Sequence, residues 1–189
     1  MNATSKRDLL VEAAASRFHR FGVAASSIAE IANDAGVPPG NVYYYFRTKD
    51  ALAAAVQEYW EQRTSDALAD IDGVRDPALR ILEFLDRSER NAPIYAQSGC
   101  PLAALSRDFR NGGPALQPLA GRIFQKQAEW LCAQLTQLGV AKKEQESASF
   151  AILASIQGGI GLAHAANAED PFRAAIADAR QRVTALATA

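Results

Sequence analysis

Residues 37 to 50 read "VPPGNVYYYFRTKD" and place two prolines, a glycine and an asparagine directly before three consecutive tyrosines. Proline suits the first turn of a helix, because the N–H that it lacks would have no partner there, so a short helix is predicted to begin near Pro39. Val42 and Phe46 lie four residues apart and are expected to face the protein interior. Three consecutive helical residues point about 100° apart and cannot share that buried face. Part of the tyrosine run is therefore available for another role.

The residues before this segment predict two further helices. The first covers about residues 5–21 and carries its apolar residues on one face. The second begins at "SSIAE", where Ser27 and Glu30 have the spacing of a capping box, and it ends at Gly36. Two short helices joined by a tight turn that contains glycine form a helix-turn-helix unit. A three-helix domain is therefore predicted over residues 1–47.

The rest of the chain, residues 48–189, has no alternating β-branched runs and is rich in Ala, Leu, Glu, Gln and Arg between its Gly and Pro residues. This composition is typical of helices. Six helices are predicted here, at about 48–71, 77–91, 102–109, 114–138, 143–166 and 171–187, with a break at Pro93. The fold class is therefore all-α with about nine helices: a helix-turn-helix domain followed by a larger helical domain over residues 48–189.

Charge and composition restrict the possible functions. The chain of 189 residues has a net charge of -1, so any DNA binding must depend on a few well-placed cations rather than on bulk positive charge. The start, "MNATSKRDLL", lacks the apolar core of a signal peptide, and the most apolar stretch, from Phe150, contains Gln157 and His164. A cytoplasmic protein without a membrane segment is expected.

Enzyme motifs are missing from the sequence. It has only two histidines, His19 and His164, and it has no H-E-x-x-H motif, no phosphate-binding loop and no nucleophile elbow. We therefore predict that the protein is not an enzyme and that it needs no cofactor and no metal. A protein that binds DNA and responds to no small-molecule ligand is an alternative to a ligand-responsive one.

The tyrosine run has the chemistry of a DNA-reading surface. Tyrosine hydroxyls donate to phosphate oxygens, and the Asn41 amide can bind adenine through two hydrogen bonds. Gly40 allows the backbone and a phosphate to approach closely, and the N-terminus of a helix favours an anion. The alternative is that the tyrosines are half-buried with hydrated hydroxyls, which is common for any single tyrosine.

The segments "LLVEAAASRFHRFGVAASSIAEIANDAGV" and "PPGNVYYYFRTKDALAAAV" make the resemblance specific. Residues from about 5 to 60 resemble the DNA-binding region of the TetR family of one-component transcriptional regulators. The resemblance implies a homodimer that binds a palindromic DNA operator and responds to a small molecule bound in its C-terminal helical domain. We therefore expect a repressor that a small apolar or aromatic effector releases from its operator.

The resemblance also implies roles for individual residues. Those expected nearest the base edges are Pro39, Gly40, Asn41 and Tyr44. Those expected at or next to the sugar-phosphate backbone are Ser27, Ala29, Tyr43, Tyr45 and Lys49. Two positions depart from the family pattern: Pro38 replaces a polar cap, and Ala29 replaces a longer polar or basic side chain. The third helix is therefore expected to supply most of the specificity.

Glycine-rich packing is predicted in the helix "ASFAILASIQGGIGLAHAA". Glycine costs a helix about 1 kcal/mol relative to alanine, so this many glycines require a packing reason. Two alternatives are a dimer seam made with the last helix, which the family favours, and close packing inside one subunit. The expected seam consists of Ile152, Ile156, Gly159, Ile160, Phe172, Ile176 and Val183.

Aromatic residues spread over the middle helices are candidates for lining an effector pocket, although each one alone fits ordinary core. The candidate ligand-binding residues are Tyr59, Trp60, Phe84, Tyr95, Cys100, Phe109, Phe124, Gln127 and Trp130, with Gln134 and His164 as further polar contacts.

Cys100 in "SGCPLAALSRDF" lies at the expected start of a helix, where the positive helix end favours a thiolate. A similar glycine-cysteine-proline element recurs in one group of TetR-like regulators, some of which sense electrophiles or oxidants. The alternative function is therefore a thiol-based sensor repressor that responds through Cys100. A buried capping residue without a sensing role is the simpler interpretation.

Overall fold

The computed structural model describes residues 5–187, and these residues form ten α-helices and one short 3-10 helix, with no strand among them. The α-helices are α1 (Lys6–Phe21), α2 (Ile28–Asp34), α3 (Pro39–Tyr45), α4 (Lys49–Asp72), α5 (Pro77–Glu89), α6 (Ala92–Ser98), α7 (Pro101–Arg110), α8 (Arg122–Gln137), α9 (Lys142–Ala166) and α10 (Asp170–Ala187). The 3-10 helix, Gln117–Leu119, lies between α7 and α8. The all-α prediction is confirmed.

The chain divides into two compact units, and neither unit is continuous in sequence. The first contains the residues up to Arg63 together with Pro101–Gly121. The second contains Thr64–Cys100 and the residues from Arg122 onward. Helix α7 and the 3-10 helix are thus grouped with α1 to α3 and the first part of α4. The domain boundary predicted between residues 47 and 48 stays a prediction.

The first two helices begin with the same local device. The Ser27 hydroxyl accepts a hydrogen bond from the Glu30 N–H, and the Glu30 carboxylate accepts one from the Ser27 N–H at 3.0 Å. Ser5 and Asp8 form the equivalent capping box at the start of α1. Each box gives partners to N–H groups that have none inside the helix. The capping box predicted at Ser27 is therefore present.

The core of the first unit forms from the apolar faces of α1 to α4 and of α7. Val42 and Phe46 are buried, as the sequence predicts, and they pack with buried residues of α1 and α2 such as Phe18 and Ile31. Burying an aliphatic or aromatic side chain of this size stabilises a fold by about 1.5–3 kcal/mol. The α3 segment is therefore fixed mainly through two buried anchors, Val42 and Phe46, with Tyr45 partly buried against the same core.

Two segments differ from the sequence prediction. A break was expected at Pro93, but α6 occupies residues 92–98 there, because Pro93 falls in the first turn, where a helix tolerates proline. Helix α8 begins at Arg122 instead of near residue 114, since Pro118 allows only a short 3-10 turn and Gly121 adopts a positive φ of 81°.

Helices α9 and α10 pack closely within one chain. A Cβ atom added to Gly159 would lie 2.8 Å from the Ala175 Cβ and 3.0 Å from the Phe172 ring, so this glycine allows the two helices to approach. The residues predicted as a dimer seam lie on these inner faces and are all buried in the isolated chain. The seven are Ile152, Ile156, Gly159, Ile160, Phe172, Ile176 and Val183. In the isolated chain their periodicity coincides with packing between α9 and α10, and the dimer seam stays a prediction.

Candidate nucleic-acid interface

Helices α2 and α3 are joined by the tight turn that the glycine predicts. Gly36 has a positive φ of 64°, and the Val37 N–H donates to the Ala32 carbonyl at 2.9 Å. Val37 is itself buried, so the turn is attached to the core of the first unit. The two helices form a helix-turn-helix in which α3 occupies the position of the reading helix.

The start of α3 has the departure noted at Pro38. Pro38 is the N-cap residue and makes no side-chain capping hydrogen bond, while its carbonyl accepts from the Asn41 N–H at 2.9 Å. Pro39, Gly40 and Asn41 are all exposed. The first turn of α3 therefore presents its backbone and the Asn41 amide to the surroundings.

Burial divides the tyrosine run. Tyr44 is 85% exposed and Tyr43 is 60% exposed, whereas Tyr45 is half-buried beside the core. The Tyr44 and Tyr45 rings meet edge to face with their centroids 5.0 Å apart. The core therefore does not account for the Tyr43 and Tyr44 side chains, and two adjacent exposed rings form the kind of patch that marks an interaction site.

The start of α2 lies on the same helix-turn-helix and is held by charged groups. Ser27 and Ala29 are exposed. The Arg17 guanidinium of α1 contacts Glu30 at 2.5 Å and Asp34 at 2.9 Å. Hydrogen bonds from Ser27, together with the nearby Arg17, hold the pKa of the Glu30 carboxyl below its ordinary value. Arg17 thus fixes α2 against α1.

Lys49, predicted to hold the DNA backbone, has partners inside the chain. Its ammonium donates to the carbonyls of Ala24 and Ser26 at 3.0 and 3.1 Å. An ammonium has three hydrogens, so one remains for a phosphate. Sequence reasoning missed the neighbouring Arg47, which is exposed directly after α3. Its position two residues before Lys49 in "FRTKD" was the available signal.

The candidate effector residues are distributed over both compact units. Phe109 is fully buried in the hydrophobic core of the first unit, so it is a core residue. Tyr59 and Trp60 belong to the same unit and are partly buried against that core. The other six candidates belong to the second unit, and they are Phe84, Tyr95, Cys100, Phe124, Gln127 and Trp130.

Within the second unit, some of these residues contact one another. The Phe84 and Trp130 rings lie 5.6 Å apart, and the Trp130 indole N–H donates to the Asp72 carboxylate at 2.9 Å. Gln134 is buried and accepts from the Arg80 guanidinium at 3.0 Å. Phe124 and Gln127 are half-buried. The partners of Trp130 and Gln134 hold these side chains in fixed positions.

Cys100 and Tyr95 form a second group in the same unit. Cys100 is 9% exposed, and Tyr95 packs edge-on against Phe172 with ring centroids 5.4 Å apart. Burial and, to a smaller extent, the nearby Cys100 raise the pKa of Tyr95 to about 12. The His164 Nδ1 lies 3.2 Å from the Ala96 carbonyl oxygen.

An open cleft of about 470 Å³ in the second unit differs from the predicted apolar pocket because its lining is charged. Its lining residues are Asp86, Glu89, Arg90, Pro93, Arg173 and Arg180. Arg180 binds both Asp86 and Glu89, which joins α10 to α5. Among residues 5–187, no three His, Cys, Asp or Glu side chains are grouped so that they can hold a metal ion.

Helix α9 presents an apolar outer face as well as its buried one. Phe150 is 53% exposed and Leu162 is 64% exposed, with the exposed Ala154, Gly158 and Gly161 between them. By length and composition α9 meets the criteria for a membrane-crossing helix, which core helices of soluble proteins also meet. Its inner face packs on α6, α8 and α10.

A helix-turn-helix whose second helix, α3, is anchored by two buried residues and exposes asparagine and tyrosine has the arrangement of a DNA-binding domain. Residues 4–56 match the model of the family described as bacterial regulatory proteins, tetR family. Residues 71–178 match the model described as transcriptional regulator LmrA/YxaF-like, C-terminal domain. The chain therefore belongs to the TetR family of transcriptional regulators, with a C-terminal domain of the LmrA/YxaF type.

Relatives and solved structures agree with this assignment. The HTH-type transcriptional regulator LmrA of Bacillus subtilis is 25% identical over 178 residues, covering 91% of this chain and 93% of the relative. A TetR transcriptional regulator from Legionella pneumophila has a similar crystal structure, with a TM-score of 0.86, 22% identity and coverage of 96% of this chain and 99% of that one. The reduced form of E. coli NemR shares the fold with a TM-score of 0.82 at 19% identity, covering 93% and 95% of the two chains.

Proposed function

We propose that this TetR-family protein is a homodimeric repressor that binds a palindromic operator and leaves it when a small apolar or aromatic effector binds. The observation that carries the DNA-reading part is the exposure of Tyr44 and Tyr43 on a helix already anchored by Val42 and Phe46. Side chains that contribute nothing to the fold are free to contact a partner. DNA is the partner that the helix-turn-helix accommodates.

The proposed contacts follow from this exposure. Asn41 and Tyr44 face the bases, where an amide can bind adenine and a ring can contact a thymine methyl group. Pro39 and Gly40 bring the backbone of α3 close to the groove. The residues proposed at the sugar-phosphate backbone are Ser27, Ala29, Tyr43, Tyr45, Arg47 and Lys49.

Selection of bound sequences from a random DNA library tests the proposal most directly. We expect an enriched palindrome whose half-sites lie about one helical turn, roughly 34 Å, or a multiple of it apart. Gel-shift titration should then give a complex with this operator that survives competition by random duplex. Recovery of no enriched sequence from libraries bound at low and high salt would refute the operator.

The homodimer is proposed to form through the outer face of α9 rather than the buried seam. The support is that Phe150 and Leu162 are exposed on either side of small residues, which allow a second helix to approach. Light scattering should show a dimer that Leu162→Arg converts to a monomer. Leu79→Arg is the matched control, because Leu79 is 54% exposed on α5 and lies outside this face. A dimer that survives Leu162→Arg would refute this interface.

The effector part of the proposal is supported by the aromatic content of the second unit, where Phe84, Trp130, Tyr95 and Phe172 form two ring pairs. A thermal-shift screen with apolar and aromatic compounds is the test, since a ligand that binds the native state must stabilise it. A compound found this way should also release the operator. A compound that stabilises the protein without releasing the operator would be a ligand but not an effector.

A thiol sensor acting through Cys100 is the second candidate. It is supported by the position of Cys100 directly before the first turn of α7, where the positive helix end favours a thiolate. Operator binding by the wild type and by Cys100→Ser should be compared with and without a quinone or an aldehyde. Release of the wild type alone supports the sensor, and an equal response of both proteins excludes Cys100 as the reacting group.

A further inference from the structure

The turn between α1 and α2, residues 22–26, has its backbone polar groups bound from two sides. The sequence here is "GVAAS", and Gly22 begins the turn with a positive φ of 83°. The Ser26 hydroxyl, in a residue only 2% exposed, donates to the Gly22 carbonyl at 2.8 Å. The turn ends at Ser27, the N-cap residue of α2. Its conformation therefore sets where α2 begins.

The first contact comes from α4. The Lys49 ammonium donates to the carbonyls of Ala24 and Ser26, which lie 25 and 23 residues earlier in the chain. Lys49 is the first residue of α4, so these hydrogen bonds tie the start of that helix to the residue just before the α2 cap. A charged donor makes stronger hydrogen bonds than a neutral one.

The second contact comes from α7. The Asp108 carboxylate accepts a hydrogen bond from the Val23 N–H at 2.8 Å, and the Asp108 side chain is only 18% exposed. Neighbouring residues Leu105 and Phe109 are buried in the core of the first unit, so α7 holds the carboxylate in place. Arg107 pairs with the other carboxylate oxygen at 3.5 Å.

Gly22 is required for the second contact on two counts. Its positive φ favours glycine, and a Cβ added there would lie 3.1 Å from the Asp108 carboxylate oxygen. Gly22 therefore makes room for the Asp108 carboxylate, which binds the N–H of the next residue, Val23.

We infer that Lys49 and Asp108 are positioning residues that clamp the α1–α2 turn and thereby set the orientation of α2 and α3 for DNA reading. The inference rests on the proposed DNA-reading function and adds to it a residue, Asp108, through which operator affinity is controlled without a DNA contact. Helix α4 continues beyond Arg63 into the second unit, and α7 begins directly after Cys100, the last residue of the first segment of that unit. Two of the three chain connections between the units, at Arg63 and at Cys100, thus lie on or next to helices that contact the same five-residue turn.

The test uses full-length Asp108→Ala, which removes the acceptor, and Asp108→Asn, whose side-chain oxygen can still accept from Val23. Fluorescence anisotropy is measured on the selected operator and on a random duplex of the same length, well below the unfolding temperature. For Asp108→Ala we expect operator affinity to fall about tenfold, because a hydrogen bond to a charged group is lost. Affinity for random DNA and the salt dependence of binding should not change, because no phosphate contact is removed.

Hydrogen exchange gives the structural readout. The Val23 amide should exchange faster in Asp108→Ala than in Asp108→Asn. Asp108→Asn should lose less operator affinity than Asp108→Ala, because its neutral side chain still accepts a hydrogen bond from Val23. Arg107→Ala is a matched control, since it removes the exposed neighbour of Asp108 and leaves the hydrogen bond to Val23. Faster exchange at Val23 together with unchanged operator affinity would overturn the clamp.

Asp108→Glu is the second variant in case Asp108→Ala does not fold. It keeps the charge but lengthens the side chain, so the turn must shift and operator affinity should fall while random-DNA affinity stays constant. Equal losses on both duplexes, or no loss on either, overturn the inference. If the wild-type protein itself selects no operator, the proposed function fails; if it selects one that Asp108→Ala binds unchanged, only the clamp fails.

Discussion

Tyr44→Ala is the substitution that most sharply separates DNA reading from folding. Tyr44 is 85% exposed, so removing its ring uncovers little core and should change the free energy of unfolding by no more than about 0.5 kcal/mol. The lost contact with the Tyr45 ring is offset by the higher helix propensity of alanine, about 0.5 kcal/mol. For a chain of this size the unfolding temperature should move by no more than about 2 °C.

The effect on DNA binding should be much larger. A good contact to a base is worth about 1–3 kcal/mol, which corresponds to a loss of roughly 5-fold to 150-fold for each reading head. The assay is a titration of the selected operator and of a random duplex at several salt concentrations. Tyr44→Phe should retain the part of the affinity that comes from the ring and lose only the part that comes from the hydroxyl. Equal losses on operator and random DNA would refute the assignment of Tyr44 to the bases.

Three further predictions concern the phosphate contacts, the helix seam and the acid response. Arg47→Ala should weaken binding to the operator and to random DNA alike and reduce the salt slope by about one unit. Lys49→Met should weaken binding to the operator more than binding to random DNA. Equal losses for Lys49→Met would mean that Lys49 acts only as a phosphate contact. Gly159→Ala should destabilise the fold by about 1–3 kcal/mol in urea denaturation, because the added methyl group meets α10. Gly113→Ala, which has nothing within 4 Å of the added Cβ and lies outside α9, should not. The folded-state pKa of Glu30 lies below its ordinary value of 4.5. The Glu30 carboxylate therefore stabilises the fold above pH 4.5, and this stabilisation is lost as the pH falls through the lowered pKa. Glu30→Gln should make the decline in stability measured by acid titration less steep.

Local signals made the first unit predictable. The capping box at Ser27, the glycine turn at Gly36 and the spacing of Val42 and Phe46 act over a few residues, and the structure contains all of them. The start of α8 was harder to predict from the sequence. Whether Pro118 interrupts a helix or starts one depends on what the flanking residues pack against.

Long-range packing explains what the sequence left undecided. The periodicity of Ile152, Ile156 and Ile160 identifies a buried face, but an intrachain seam and a subunit interface produce the same period. The role of Lys49 was obscured for a related reason, because its carbonyl partners lie more than twenty residues earlier in the chain. No sequence pattern links Asp108 to Val23, which are separated by 85 residues.

The division of the first unit into two chain segments matters for engineering hybrid regulators. A chimaera that joins residues up to Arg63 to the remainder of another regulator would leave behind Pro101–Gly121, and with it the carboxylate that binds Val23. Such a hybrid would inherit a reading head with one of its own internal supports replaced by a foreign sequence. Grafting both segments together, or restoring an acidic residue opposite Val23 in the recipient, should rescue operator recognition in hybrids that otherwise fold but bind poorly.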